Sequence, residues 1–139
     1  MTNHEKQSAE ELYEAFSKHD REAWLAKFSP TSIWRDVPSG QIHVGASGQE
    51  DNYAFWSTPF PNGTVKDVVV HAGDGFAVCE VVGVGTHEGP LQTPGGVVEA
   101  TGVSASIAIC DVHKFSEDGL IVETHRYWDL AGAAAQLGL

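Results

Sequence analysis

The sequence predicts an α+β fold in which a curved antiparallel sheet wraps around N-terminal helices. Three observations predict it. Helical periodicity dominates residues 9–58, β-branched strands with hairpin turn signals fill residues 65–129, and no repeat, low-complexity tract or linker divides the chain. Helices first and antiparallel hairpins after place the helices on one face of the sheet, and the hollow of such a cone encloses a ligand pocket. At 139 residues the chain fits one domain, 1–139, long enough to bury a sizeable core.

Each element has its own signal. Ser8 and Glu11 form a capping-box pattern, and Leu12, Ala15, Phe16 and His19 follow at helical spacing, predicting a helix over 9–18. Asp20 caps a second helix carrying Ala23, Trp24, Leu25 and Phe28, which Pro30 stops. Ser32 to Asp36 reads as a short strand closed by Pro38-Ser39-Gly40, with His43 in the loop beyond it. Residues 46–58 form a third helix bearing Tyr53, Phe55 and Trp56, ended by Pro59 and Pro61. Val65 to Val70 is a strand, Gly73-Asp74-Gly75 a hairpin turn, and Phe76 to His87 its partner. Gly89 to Gly96 is a loop, and Val97 to Phe115 is the longest strand. Asp118-Gly119 turns into a last strand, Leu120 to Asp129, and the Ala- and Gly-rich tail docks as a short helix.

Composition excludes several function classes. Hydrophobic residues make up 42% and charged residues 19%, which argues against disorder. A net charge of -11 repels phosphate backbones, so nucleic acid is not the expected partner. No run of about 18 apolar residues predicts a membrane span. The polar N-terminus lacks a signal-peptide core, which gives a cytoplasmic expectation. Cys79 and Cys110 read as free thiols in strands, and Asn62-Gly63-Thr64 reads as a turn. No His-x-His, His-Glu-x-x-His or Cys-x-x-Cys spacing supports a metal site, and no phosphate-cradling loop, Gly-x-Ser-x-Gly or dinucleotide fingerprint supports a cofactor or a serine nucleophile.

The candidate chemistry lies where strands break pattern. Period-2 alternation puts Val103, Ala105, Ile107, Ile109, Asp111, His113 and Phe115 on one side of the long strand. A carboxylate among apolar residues loses hydration, which raises its pKa and makes it a proton donor. Asp36 ends the first strand, and two carboxylates in different environments can divide base and acid roles. On the last strand, either Glu123, His125, Tyr127 and Asp129 or Thr124, Arg126 and Trp128 face inward, and alternation alone leaves this open. Residues 124–127 are expected opposite Asp111. An inward Arg126 would lower the Asp111 pKa and make His113 the better acid.

The runs Ser32-Ile33-Trp34-Arg35-Asp36-Val37-Pro38, Ile42-His43-Val44-Gly45 and Phe115 to Ile121 resemble the nuclear-transport-factor-2-like superfamily across nearly the whole chain. That resemblance implies a cone-shaped α+β barrel. Cys110 to Phe115 and Tyr127-Trp128 resemble bacterial ketosteroid isomerase, and this implies Asp36 as general base and a protonated Asp111 as oxyanion donor. This enzyme is a standard case of a neutral catalytic carboxylic acid. The chain departs from it where the family has tyrosines: Leu12, Phe28 and Trp56 occupy those positions, and Tyr13, one residue or about 100° around the helix, is not expected to replace the first. The QLGL ending and Tyr127-Trp128-Asp129 resemble SnoaL-like polyketide cyclases, which use an aspartate as acid and base. Dehydratases of the superfamily pair an aspartate with a histidine, which Asp36 with His87 or His113 would mimic.

The expectation is therefore a cofactor-independent isomerase, cyclase or lyase acting on a small apolar cyclic carbonyl compound. Asp36, Asp111 and His113 are its candidate catalytic residues, and Tyr13, Trp34, Phe55, Trp56, Arg126 and Trp128 its candidate binding residues. A non-catalytic ligand-binding or dimerisation module is the competing class. A homodimer through the β-branched sheet surface is expected in either case.

Overall fold

The computed structural model describes residues 2–139, with side chains from His4 onward. Helices α1 (Thr2–Ser17), α2 (Arg21–Leu25) and α3 (Gly45–Ser57) cover the hollow of a curved sheet. The strands are β1 (Phe28–Asp36), β2 (Gln41–Val44), β3 (Thr64–Gly73), β4 (Phe76–Thr86), β7 (Ser104–Phe115) and β8 (Ile121–Trp128), in the order β2-β1-β8-β7-β4-β3. A separate hairpin of β5 (Leu91–Thr93) and β6 (Gly96–Val98) and a terminal helix α4 (Leu130–Gln136) flank it. The sheet is open rather than closed, and β1 runs parallel to β8 within an otherwise antiparallel array. Among the described residues no helix is long and apolar enough to cross a membrane.

Several boundaries differ from those the sequence predicts. Helix α1 begins about two turns early, so Ser8 and Glu11 lie inside it rather than at its cap. Its first turn is held by tertiary contacts: the Glu5 carboxylate accepts the Gly75 N–H at 2.7 Å, and His4 reaches the Gly119 carbonyl at 3.1 Å. Asp20 does cap α2, accepting the Ala23 N–H at 3.1 Å, but α2 ends at Leu25 and Phe28 opens β1. Pro30 sits inside that strand, where pairing with β8 is interrupted between Phe28 and Ile33. A strand tolerates a missing N–H at such an irregularity. His43 is in β2 rather than a loop, residues 91–98 fold as a hairpin, and the long strand starts at Ser104 instead of Val97.

Register decides which side chains share the hollow. Cys79, Asp111, Arg126 and Asp36 are cross-strand partners in one row over β4, β7, β8 and β1. The next inward row holds Ala77, His113, Thr124 and Trp34, and the row on the other side holds Val81, Ile109 and Trp128. Hence Thr124, Arg126 and Trp128 form the inward face of β8, which alternation had left open. Beneath the helices, Trp24 packs against Phe28, Trp34 and Tyr53 with ring centroids 4.6, 6.0 and 5.4 Å apart. Cys79 is buried on the inward face and Cys110 lies on the outer one, so the two thiols are separated by the sheet.

Candidate functional site

The inward rows build one connected polar network in an apolar setting. Arg126 grips Asp111 with both edges of a fork: Nε donates to Oδ1 and Nη2 to Oδ2, each at 2.8 Å. Tyr13 donates its hydroxyl proton to the same Oδ2 at 2.8 Å and lies 2.9 Å from His113 Nε2. With the single phenol proton directed at the carboxylate, Nε2–H of His113 donates to the phenol oxygen. Nδ1 of His113 then accepts from Thr124 Oγ1 at 2.8 Å. Asp111, His113 and Thr124 are all fully buried.

Burial pushes the Asp111 carboxyl up, but the Arg126 charge and its two hydrogen bonds outweigh this and hold it below the ordinary value. The raised pKa expected of Asp111 is thus reversed: it is an ionised anchor for the guanidinium. Burial pushes His113 down to about 4, with Asp111 opposing and Arg126 assisting, so the imidazole is neutral near pH 7. Burial, reinforced by the Asp111 charge, drives Tyr13 well above the usual tyrosine range. Tyr13 was not expected to reach this position. Leu12 and Tyr13 are both buried, and the phase of α1 aims the tyrosine at Asp111.

Asp36 forms a second centre. Trp128 Nε1–H donates to both of its oxygens at 3.0 Å, while Ser39 donates its N–H at 3.2 Å and its hydroxyl at 2.8 Å to Oδ1. Oδ2 has the indole as its one donor. The two centres are bridged by aromatic contacts. The Trp128 ring meets Trp56 edge-on at 5.1 Å, and the Arg126 guanidinium lies 4.7 Å from the Trp34 ring and 5.6 Å from Trp56.

Two chambers open beside this network. The inner one offers about 60 Å³ and is lined by Tyr13, Asn52, Tyr53, Arg126 and apolar side chains, with Gly83 and Gly85 as its floor. A Cβ on Gly85 would stand 3.1 Å from Phe60 Cβ and 3.3 Å from Gly63 Cα, which explains the glycine at that point of the strand. The outer chamber offers about 330 Å³ between the β5–β6 hairpin, α4, Phe55 and Trp128. Trp56, Phe60 and Ile107 wall both.

Asp36 and Asp111 share the inward face and one row, but neither lines a chamber: Arg126 and Tyr13 stand before Asp111, and Trp128 and Ser39 before Asp36. His113 sits behind Tyr13, and Trp34 is buried beneath Arg126. Phe55 and Trp128 line the outer chamber, Tyr13 and Arg126 the inner, and Trp56 both. His87 lies eight residues from Cys79 of the carboxylate row, roughly 26 Å of extended strand, so it is not placed to pair with Asp36. Asn52, Thr124 and Ser39 were missed. Asn52 had a signal: Gln49, Asn52, Tyr53 and Trp56 recur at i, i+3, i+4 and i+7, and the two amides are buried and bonded to each other at 3.3 Å.

Helices over the hollow of a curved, open sheet define the nuclear-transport-factor-2-like cone. The pattern of the SnoaL-like domain matches residues 9–124, and the chain belongs to that family. No curated protein matches the chain. Among solved structures, a candidate polyketide cyclase from Xanthomonas campestris pv. campestris is 21% identical with a TM-score of 0.84, covering 98% of both chains. IdmH of Streptomyces antibioticus, also described as a candidate polyketide cyclase, is 26% identical with a TM-score of 0.72 over 96% of this chain and 97% of that one. A protein of ketosteroid-isomerase-like fold from Catenulispora acidiphila is 16% identical with a TM-score of 0.77 over 95% and 92%.

Proposed function

We propose that the protein is a cofactor-independent proton-transfer enzyme, a cyclase or isomerase, acting on a small apolar cyclic carbonyl compound in the paired chambers. One observation carries this reading. Arg126 is the one charged side chain among the described residues lining either chamber, and Asp111 holds it through Nε and Nη2. A fixed cation in an apolar cavity stabilises negative charge as it develops on a carbonyl oxygen. The electrophile is then the guanidinium, with Tyr13 beside it, in place of a neutral aspartic acid. Asp36 is the proposed base, because Oδ2 keeps acceptor capacity and its two donor residues line the outer chamber. His113, neutral and bonded to Tyr13, holds the phenol in place. The relatives named as polyketide cyclases support the reaction class.

The test is proton exchange at the carbon next to a cyclic ketone. With 2-tetralone in D2O followed by NMR, the protein is expected to accelerate deuterium uptake. Asp36→Asn is expected to lower that rate by about 10²–10⁴-fold, and Arg126→Gln by about 10²–10³-fold. Exchange at the buffer rate with the whole protein sinks the catalytic reading. The placing of both carboxylates behind other side chains favours a second reading, a ligand-binding module, and tight ketone binding without exchange is its signature.

A further inference from the structure

The wall between the two chambers carries a donor with nothing to bind. Trp56 Nε1 is buried and has no hydrogen-bond partner, although its ring faces both spaces. A second such donor stands behind the other aromatic of the wall. His87 Nδ1 accepts the Thr101 N–H at 3.3 Å and bonds the Thr101 hydroxyl at 3.0 Å, so the proton sits on Nε2, which is buried and unpaired, and the His87 and Phe60 ring centroids lie 5.8 Å apart. Buried donors are nearly always satisfied, and one left unsatisfied in a cavity wall is open to a ligand oxygen. The inner chamber, about 60 Å³, is too small for a ring compound, whereas the two joined are not.

We infer that Trp56 is the gate between the chambers and the residue that selects the ligand, through its indole N–H. This rests on the proposed carbonyl-binding site at Arg126. The guanidinium carbon lies 5.6 Å from the Trp56 ring centroid, so one small ligand can meet both groups. A ligand carrying two oxygens on an apolar ring system, such as a 1,3 pair, offers one to Arg126 and the other to Trp56. Turning the indole to make this bond opens the wall, so a ligand lacking the second oxygen leaves the gate shut.

The experiment uses tetralin, 1-tetralone and 8-hydroxy-1-tetralone, which carry no oxygen, one oxygen, and two in 1,3 relation. In ¹⁵N-labelled protein the four tryptophans give four indole signals, and the one lost in Trp56→Phe is Trp56. With 8-hydroxy-1-tetralone this signal is expected to move downfield and its proton exchange to slow, along with a shift of the Ile107 methyls. With tetralin the indole stays put. Trp56→Phe is expected to weaken the hydroxy-tetralone by about 2- to 13-fold, the range of one neutral hydrogen bond, and tetralin hardly at all. Ile107 moving while Trp56 does not, or equal weakening of both probes, overturns the role of Trp56 and leaves the Arg126 site standing. No shift at Ile107 or Trp56 with any probe overturns the ligand class on which both rest.

Discussion

Replacing Asp111 by Asn tests whether the ion pair is the keystone of the site. The substitution conserves shape and removes the charge. Three donors converge on the carboxylate: Arg126 Nε and Nη2 and the Tyr13 hydroxyl, all at 2.8 Å. An amide offers one oxygen to them and turns its NH2 toward another donor. The Arg126 side chain, 11% exposed, is left as a buried cation without its counter-charge. Breaking a buried pair from one side costs about 3–5 kcal/mol, a large share of the about 5–15 kcal/mol that holds a domain together. For a chain of this size that is a fall in Tm of about 6–20 °C. Urea unfolding read by tryptophan fluorescence gives the free energy, since Trp34 and Trp56 both lie against the guanidinium. Arg126→Met added to Asp111→Asn removes the stranded charge and is expected to recover more than half of the loss. A single-variant loss below about 1 kcal/mol, or a coupling below about 0.5 kcal/mol in the cycle, refutes the argument.

Two further outcomes follow. His113 has a folded pKa of about 4, against an ordinary value of 6.5 that it regains when unfolded. The unfolded chain therefore binds the proton first, and stability is complete above about pH 6.5 and falls by about 3 kcal/mol in all as pH drops toward 4. Urea midpoints at pH 7 and pH 5 are expected to differ in the natural protein and to converge in His113→Gln, and equal pH slopes in the two would contradict this. We also propose pairing of two copies through the outer face of the sheet, where Val69 is 48%, Phe76 43% and Tyr127 45% exposed. Light scattering at micromolar concentration is expected to give twice the chain mass, with Tyr127→Glu shifting it to monomer.

The parity of β7 was legible because one face is apolar and the intruders, Asp111 and His113, interrupt it at even spacing. The parity of β8 was not, because Thr124, Arg126 and Trp128 are as mixed as Glu123, His125 and Tyr127. Only the register placing Arg126 between Asp111 and Asp36 decides it. The same pairing sets the charge state of Asp111, so an argument from apolar neighbours alone led to the wrong protonation. Tyr13 was a candidate binding residue but was not expected in the place of the family's helix tyrosine, because the resemblance set Leu12 there; one residue of phase separates the core leucine from the site tyrosine.

Why the cation matters for the chemistry can be argued from the row itself. A buried carboxylic acid stays neutral only while no positive group is within reach, and Arg126 occupies the strand position between the two aspartates. One guanidinium cannot leave Asp111 protonated and also bind it by two edges. The same guanidinium, fixed by Asp111 and packed against Trp34, costs little to hold in place when charge develops on a ligand. In the proposed mechanism the acid role is exchanged for a cation role while the framework of strands is kept. On the proposed reading, the base Asp36 and the electrophile Arg126 stand on adjacent strands, roughly 5 Å apart at the backbone, the reach of one carbonyl and its neighbouring carbon.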